Sequence, residues 1–171
     1  MKKRSAPSDS SSPPELTFFS DRCLGRRFPR HLATLGIQIE SYFEAFPGQD
    51  QISDPEWLRY TCGRGYVGLT HDAALRRDEE TVRVVFDAAY EESSALFILR
   101  GQLSSVELGE MFLEAHPRVV RMVERYRHQN RAFIAIISRS HAKGGVETID
   151  VRRWKDEEEW REMMMRKGGG K

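Results

Sequence analysis

Cysteine is scarce in this 171-residue chain. Cys23 and Cys62 are the only two, too few for a disulfide framework, and their spacing matches no zinc pattern. A reducing cytoplasm is therefore the expected compartment. Long apolar runs are missing as well: none approaches the ~20 residues that a spanning helix requires, so no membrane is expected. The opening stretch MKKRSAPSDSSSPP is basic but has no apolar segment behind it, and no secretory signal is expected there. A surplus of charge of one sign is also absent, since 27 basic and 26 acidic residues leave a net charge of +1. That balance argues against nucleic-acid binding driven by bulk charge and leaves room for a local basic patch. No G-x-G-x-x-G follows the first apolar run, and GRG at 63–65 precedes a strand instead, which argues against dinucleotide binding.

What is present is an alternation of short apolar runs and amphipathic stretches. Residues 1–14 are Ser, Pro and charge and are expected to be disordered. Residues 15–166 are expected to form one domain, and KGGGK at 167–171 belongs to a flexible end. LTFF (16–19), IQIE (37–40), YVGL (66–69), ALFIL (95–99) and AFIAIIS (132–138) read as strands, the last being the most apolar and hence expected to be central. VETIDV (146–151) reads as an edge strand after a Gly144-Gly145 turn. Helices are expected over 24–35, closed by Gly36, and from Asp54-Pro55-Glu56 to about Cys62. Further helices are expected over 79–91, 104–128 with a break or kink at Pro117, and 155–166. SYFEAFPGQDQIS between the second strand and the next helix reads as a polar loop. The order predicts an α/β fold, a three-layer α/β/α sandwich around a mainly parallel sheet. Such sheets carry their working groups at the carboxyl ends of the strands.

Several acids fall at those ends. Asp21 follows the first strand, Glu40 ends the second, Asp72 follows the third, and Asp54 and Glu56 open a helix. Carboxylates brought together repel one another and raise each other's pKa unless a cation sits among them. Oxygen ligands without a His or Cys cluster point to Mg²⁺ or Mn²⁺. Each acid has a plainer reading. Asp21 and Asp54 can cap the helices that follow them, and Asp72 can be a turn residue. Of the basic residues 21 are Arg and 6 are Lys, so their position has to separate base composition from phosphate recognition. Arg22, Arg26 and Arg27 follow Asp21, and Arg76 and Arg77 follow Asp72, where guanidinium forks would suit phosphate and where they can equally pair with local acids. His71 reads as a general acid or a local contact, His31 as a surface residue and His116 as a residue of the helix break. Trp57 reads as core packing or a stacking platform for a base, and Met163–Met165 as packing or an exposed seat for a partner.

DRCLGRRFPRHLATLG and DPEWLRYTCGRGYVGLTHDAALRR carry a resemblance. Together they look like the PIN-like nuclease superfamily: a strand ending in Asp before an LG pair, a D-x-E-hydrophobic helix start, then G-x-V-hydrophobic-T-x-D. More narrowly the chain resembles the PIN-like toxins of VapC-type toxin–antitoxin pairs and related PIN-like groups. The resemblance implies an RNA-cleaving nuclease that uses Mg²⁺ or Mn²⁺. Asp21 and Asp72 would be the main metal ligands, and Asp54 the third acid in competition with Glu56. The further acid that larger PIN domains carry before their last strands has no counterpart placed here. The implied partners are RNA and a cognate antitoxin, with a homodimer admitted. Two other readings share the strand-end acids. One is a phosphorylation receiver, which pairs two acids after its first strand and needs a late lysine, for which Lys143 is the candidate. The other is a non-catalytic RNA-binding member of the same fold.

Overall fold

The computed structural model describes residues 15–87, 90–141 and 147–168. The strands are β1 (Phe18–Ser20), β2 (Ile39–Ser41), β3 (Val67–Thr70), β4 (Ala95–Arg100), β5 (Phe133–His141) and β6 (Glu147–Asp156). They form one six-stranded sheet in the order β2-β1-β3-β4-β5-β6. The first five run parallel, and β6 lies antiparallel to β5 at the edge. Helices α1 (Arg27–Thr34) and α5 (Ser105–His128) cover one face. The other is covered by α3 (Asp54–Gly63), α4 (Glu79–Val85) and α6 (Glu157–Gly168), with the short α2 (Tyr42–Ala45) beside them. This is the three-layer α/β/α sandwich that the alternation of runs predicts.

Strand periodicity sorts the two cores. Phe18 points toward α1 and α5 and meets Phe112 edge-on at 5.2 Å between centroids, while Phe19 points the other way and stacks on Trp57 at 5.7 Å. The same alternation runs along β5, with Phe133, Ala135 and Ile137 in one core and Ile134 and Ile136 in the other. The expectation that this most apolar strand is central is corrected. It lies next to the edge, and its apolarity reports coverage on both faces rather than a middle position.

Other boundaries differ for physical reasons. Pro117 does not break α5, which is continuous from Ser105 to His128. Leu108, Met111, Phe112, Ala115, Val119 and Val123 are all buried along it. At roughly 1.5–3 kcal/mol for each large apolar side chain buried, that seam outweighs the ~3 kcal/mol cost of an interior proline. His116 is accordingly no break residue; it packs its ring against Phe18 and Phe112 at 5.6 and 5.8 Å. His31 is not on the surface either, for it is wedged between α1 and Gly109 of α5. α4 stops at Val85, short of the expected end at 91, in a Thr- and Val-rich segment of low helix propensity. The polar loop contains α2, nucleated by a capping box between Ser41 and Glu44. β6 continues to Asp156, so the last helix begins at Glu157 and includes Lys167 and Gly168, which the expected flexible end had claimed. The stretches 1–14 and 169–171, Ala89, Lys143 and the Gly144-Gly145 turn lie outside the described residues. Gly36 has φ +83 and closes the α1 segment as expected. Among the described residues no helix is long and apolar enough to cross a membrane.

Candidate active site

β2 and β3 flank β1 on opposite sides. The chain therefore reverses its direction of winding between β1 and β3, and open parallel sheets bind their ligands in the crevice at the carboxyl ends of the strands at such a point. Asp21 leaves β1 there and His71-Asp72 leave β3, joined by the Asp21 N–H donating to the Leu69 carbonyl at 2.9 Å.

Asp21 is the buried centre of the site, 7% exposed. Its Oδ2 accepts from the Thr70 hydroxyl at 2.8 Å and from the Cys23 thiol at 2.9 Å. Desolvation by burial raises its pKa above the ordinary aspartate value; hydrogen bonds from Cys23, Thr70 and the Arg22 N–H oppose the rise, and the charge of Asp54 adds to it. The capping reading of Asp21 does not hold, since its side chain makes no cap bond to the 3-10 turn Arg22–Leu24. Cys23 is exposed as a residue, but its sulfur is turned inward, accepting from the His71 N–H at 3.1 Å. Burial and the adjacent Asp21 charge push this thiol up to about 12, so it acts as a neutral donor and not as a nucleophile.

Asp54 reaches the same crevice from the other core. It does not cap α3 as expected: Ser53 is the N-cap and Asp54 the first helical residue. The Trp57 indole N–H donates to Asp54 Oδ1 at 3.0 Å, and Trp57 itself is buried and stacked on Phe19, two residues before Asp21. Of the two readings of Trp57 the structure thus bears out core packing, with the added task of holding Asp54. The approach to α3 is pinned from the opposite side. Arg22 donates to the Asp50 carbonyl, and the Tyr42 hydroxyl donates to the Gln49 carbonyl at 2.9 Å while accepting from the Ile52 N–H at 3.2 Å.

The remaining acids are committed locally. Glu56 Oε2 accepts from the Ser53 hydroxyl at 2.6 Å and the Ser53 N–H at 2.9 Å, and these bonds lower its pKa. Asp72 lies on the same rim as Asp21, tied to it through Thr70, whose Oγ1 accepts from the Asp72 N–H at 3.1 Å. Its carboxylate, however, is exposed and accepts from the Ala74 N–H at 2.7 Å, the geometry of a turn residue. Glu40 accepts from the Tyr60 hydroxyl at 2.9 Å. Among the described residues no group of three or more His, Cys, Asp or Glu side chains is placed to hold a metal ion. The pair that shares a field is Asp21 with Asp54. Magnesium is commonly held by one or two carboxylates plus waters and substrate phosphates, and this donor set fits that mode.

No arginine forms an ion pair with Asp21 among the described residues. Arg26 lies over the Phe43 ring at 4.0 Å, Arg22 is spent on the loop, Arg27 and Arg77 are exposed, and Arg76 is half-buried. His71 Nδ1 lies 2.8 Å from the Leu99 carbonyl. Because that partner only accepts, Nδ1 carries the proton and Nε2 is the ring's remaining acceptor. Thr70 and Cys23, which shape the Asp21 carboxylate, escape a search of the sequence for acids and bases. The only signal was the position of Thr70 two residues before Asp72.

Residues 16–99, just under half of the chain, match a family model described as a PIN like domain. The match supports the PIN-like superfamily, whose domains are generally nucleases, and it spans Asp21, Asp54 and Asp72. No curated protein and no solved structure matches the chain.

Proposed function

We propose that this PIN-like chain is a metal-dependent endoribonuclease whose working acids are Asp21 and Asp54. The observation that carries the reading is a buried carboxylate, opposed by a second acid, at the switch point of a parallel sheet. Two such groups repel at a cost that a bound divalent cation removes. Mg²⁺ or Mn²⁺ would be held by Asp21 and Asp54, with Asp72 joining from the next strand end only on release of its bond to the Ala74 N–H, and would supply charge neutralisation at a scissile phosphate and a water of lowered pKa.

The protein's own part is positioning. The Thr70 hydroxyl, Cys23 thiol and Arg22 N–H orient the Asp21 carboxylate and oppose the upward shift that its burial imposes. Trp57 fixes Asp54, so neither acid has to reorganise when charge develops. Arg27, Arg76 and Arg77, which follow the two strand ends in the sequence, would supply donors for the phosphate backbone. His71 Nε2, set by the bond at Nδ1, accepts a proton or a substrate hydroxyl at the rim.

The test is cleavage of a labelled single-stranded RNA by the purified chain. We expect activity with Mg²⁺, loss in EDTA, and at least a hundredfold fall for Asp21→Asn and Asp54→Asn. Undiminished cleavage by Asp21→Asn refutes the mechanism. The proposal extends to the role of a VapC-type toxin, with an antitoxin covering the crevice. It expects the chain to arrest growth when expressed, the Asp21→Asn variant not to, and a small protein encoded beside it to relieve the arrest.

A further inference from the structure

The end of α5 farthest from the acids carries a second charged feature. Arg118, Arg121, Arg125 and His128 recur at intervals of three, four and three residues and form one stripe along the helix. None of the three arginines takes part in an ion pair among the described residues, whereas most other cations near this edge are matched. Arg127 pairs with Glu92, Arg131 with Asp156 and Glu158, and Arg153 with Asp156 and Glu159. In a chain of net charge +1, unmatched guanidinium groups collected on one helix face are a local excess. The stripe borders an open groove of about 900 Å³ between α5 and β6. Its floor is half-buried Met122, Tyr126 and Val151, and Glu124 is the acid on its wall.

We propose that this groove is a docking site for the backbone of single-stranded RNA, separate from the acidic crevice. The identity of the strand rests on the ribonuclease reading. The groove itself rests on unmatched arginines flanking an apolar and aromatic floor, the combination that tracks phosphates while accommodating bases of any sequence. Arg118 to Arg125 spans about 10 Å of helix at ~1.5 Å per residue, enough to meet two or three consecutive phosphates. Ser105, at the start of α5, donates to the Leu24 carbonyl beside the acidic site, and the stripe begins thirteen residues further along. At ~1.5 Å per residue the groove therefore lies roughly 20 Å or more from the acids, so it holds a strand without presenting it for cleavage.

The experiment measures binding of a fluorescent 20-nucleotide single-stranded RNA to the full chain carrying Asp21→Asn, so that cleavage does not intervene. It compares that chain with one that also carries Arg118→Gln, Arg121→Gln and Arg125→Gln. Three phosphate contacts on a single strand give a slope of about −2 in log K against log salt. The arginine variant should lose that part of the slope, about a twentyfold share of the drop in affinity between 50 and 200 mM salt. Arg121→Gln with Arg125→Gln, both exposed, repeats the measurement without touching half-buried Arg118, and equal melting temperatures certify the fold. Unchanged affinity and slope overturn the docking site, and so does arginine-dependent binding of a poly-glutamate peptide in place of RNA. The two readings fail separately. RNA binding that needs the arginines in a chain that never cleaves RNA removes the nuclease and keeps the groove. Cleavage that needs Asp21 in a chain whose arginine variant binds normally does the reverse.

Discussion

Asp21→Asn should make the protein more stable while removing its activity. Burial is the largest influence on the Asp21 carboxyl, and the Asp54 charge acts in the same direction, so the folded state holds this proton more tightly than the unfolded chain does. A carboxyl raised in the folded state lends stability that is fully present below the unfolded value near 3.8 and is lost as the pH rises through the folded value. At pH 7, well above the unfolded value, the raised carboxyl is thus a standing cost. The asparagine oxygen still accepts from Thr70 and Cys23, and the chief loss is the bond from the Arg22 N–H, about 1 kcal/mol. Relieving a destabilised functional site commonly yields about 0.5–2 kcal/mol net. For a chain of this size that is about 1–8 °C in Tm, at roughly 2–4 °C per kcal/mol. Thermal unfolding followed by circular dichroism in EDTA, from pH 7 down to pH 4, tests both sign and origin. The variant should melt higher at pH 7, with the gap narrowing as the wild-type carboxyl takes up its proton. A variant that melts lower at pH 7, or a gap that does not change with pH, refutes the electrostatic account.

Three further outcomes follow from the same geometry. Thr70→Val keeps the shape of the strand end and removes the hydroxyl donor to Asp21; unfolding in urea should show a loss of about 1–3 kcal/mol at pH 7, and the Asp21 titration followed by carboxyl NMR should move further up. Asp54→Asn should move that titration down, because the opposing charge is gone, and no movement would mean that the two acids do not share a field. Pro117→Ala should leave Tm unchanged or raise it, since α5 is already continuous and gains a backbone donor. A fall of several degrees would show that the proline holds the helix in its packed shape.

The fold was largely legible because the signals are local. Phe18 and Phe19 announce a strand covered on both faces, Ser104 with Glu107 starts α5 by a capping box, and Gly36 stops the α1 segment. What local patterns do not carry is order across the sheet. The apolar run of β5 suits a middle strand and a penultimate one equally well, and only the hairpin to β6 decides between them. Pro117 misleads for a related reason. Its penalty is written in one residue, whereas the seam that outweighs it is spread over six.

The site was legible as a set of acids and illegible as a set of orientations. An acid with a backbone donor two or three residues away can satisfy itself there, as Glu56 does on Ser53 and Asp72 does on Ala74, and its spacing from other acids then says little about where its oxygens point. Asp21 differs because it is also held from 49 residues away, by Thr70. Asp54 is close enough for its charge to be felt at Asp21 only because Trp57 stacks on the strand that ends there. A bond of that span contributes nothing to a turn or a cap and holds a carboxyl group out of water. Its persistence in the folded chain is the physical reason for ranking Asp21 above the acids whose partners lie beside them in the sequence; Asp54, whose own partner Trp57 is three residues away, is ranked with it through the charge it exerts on Asp21.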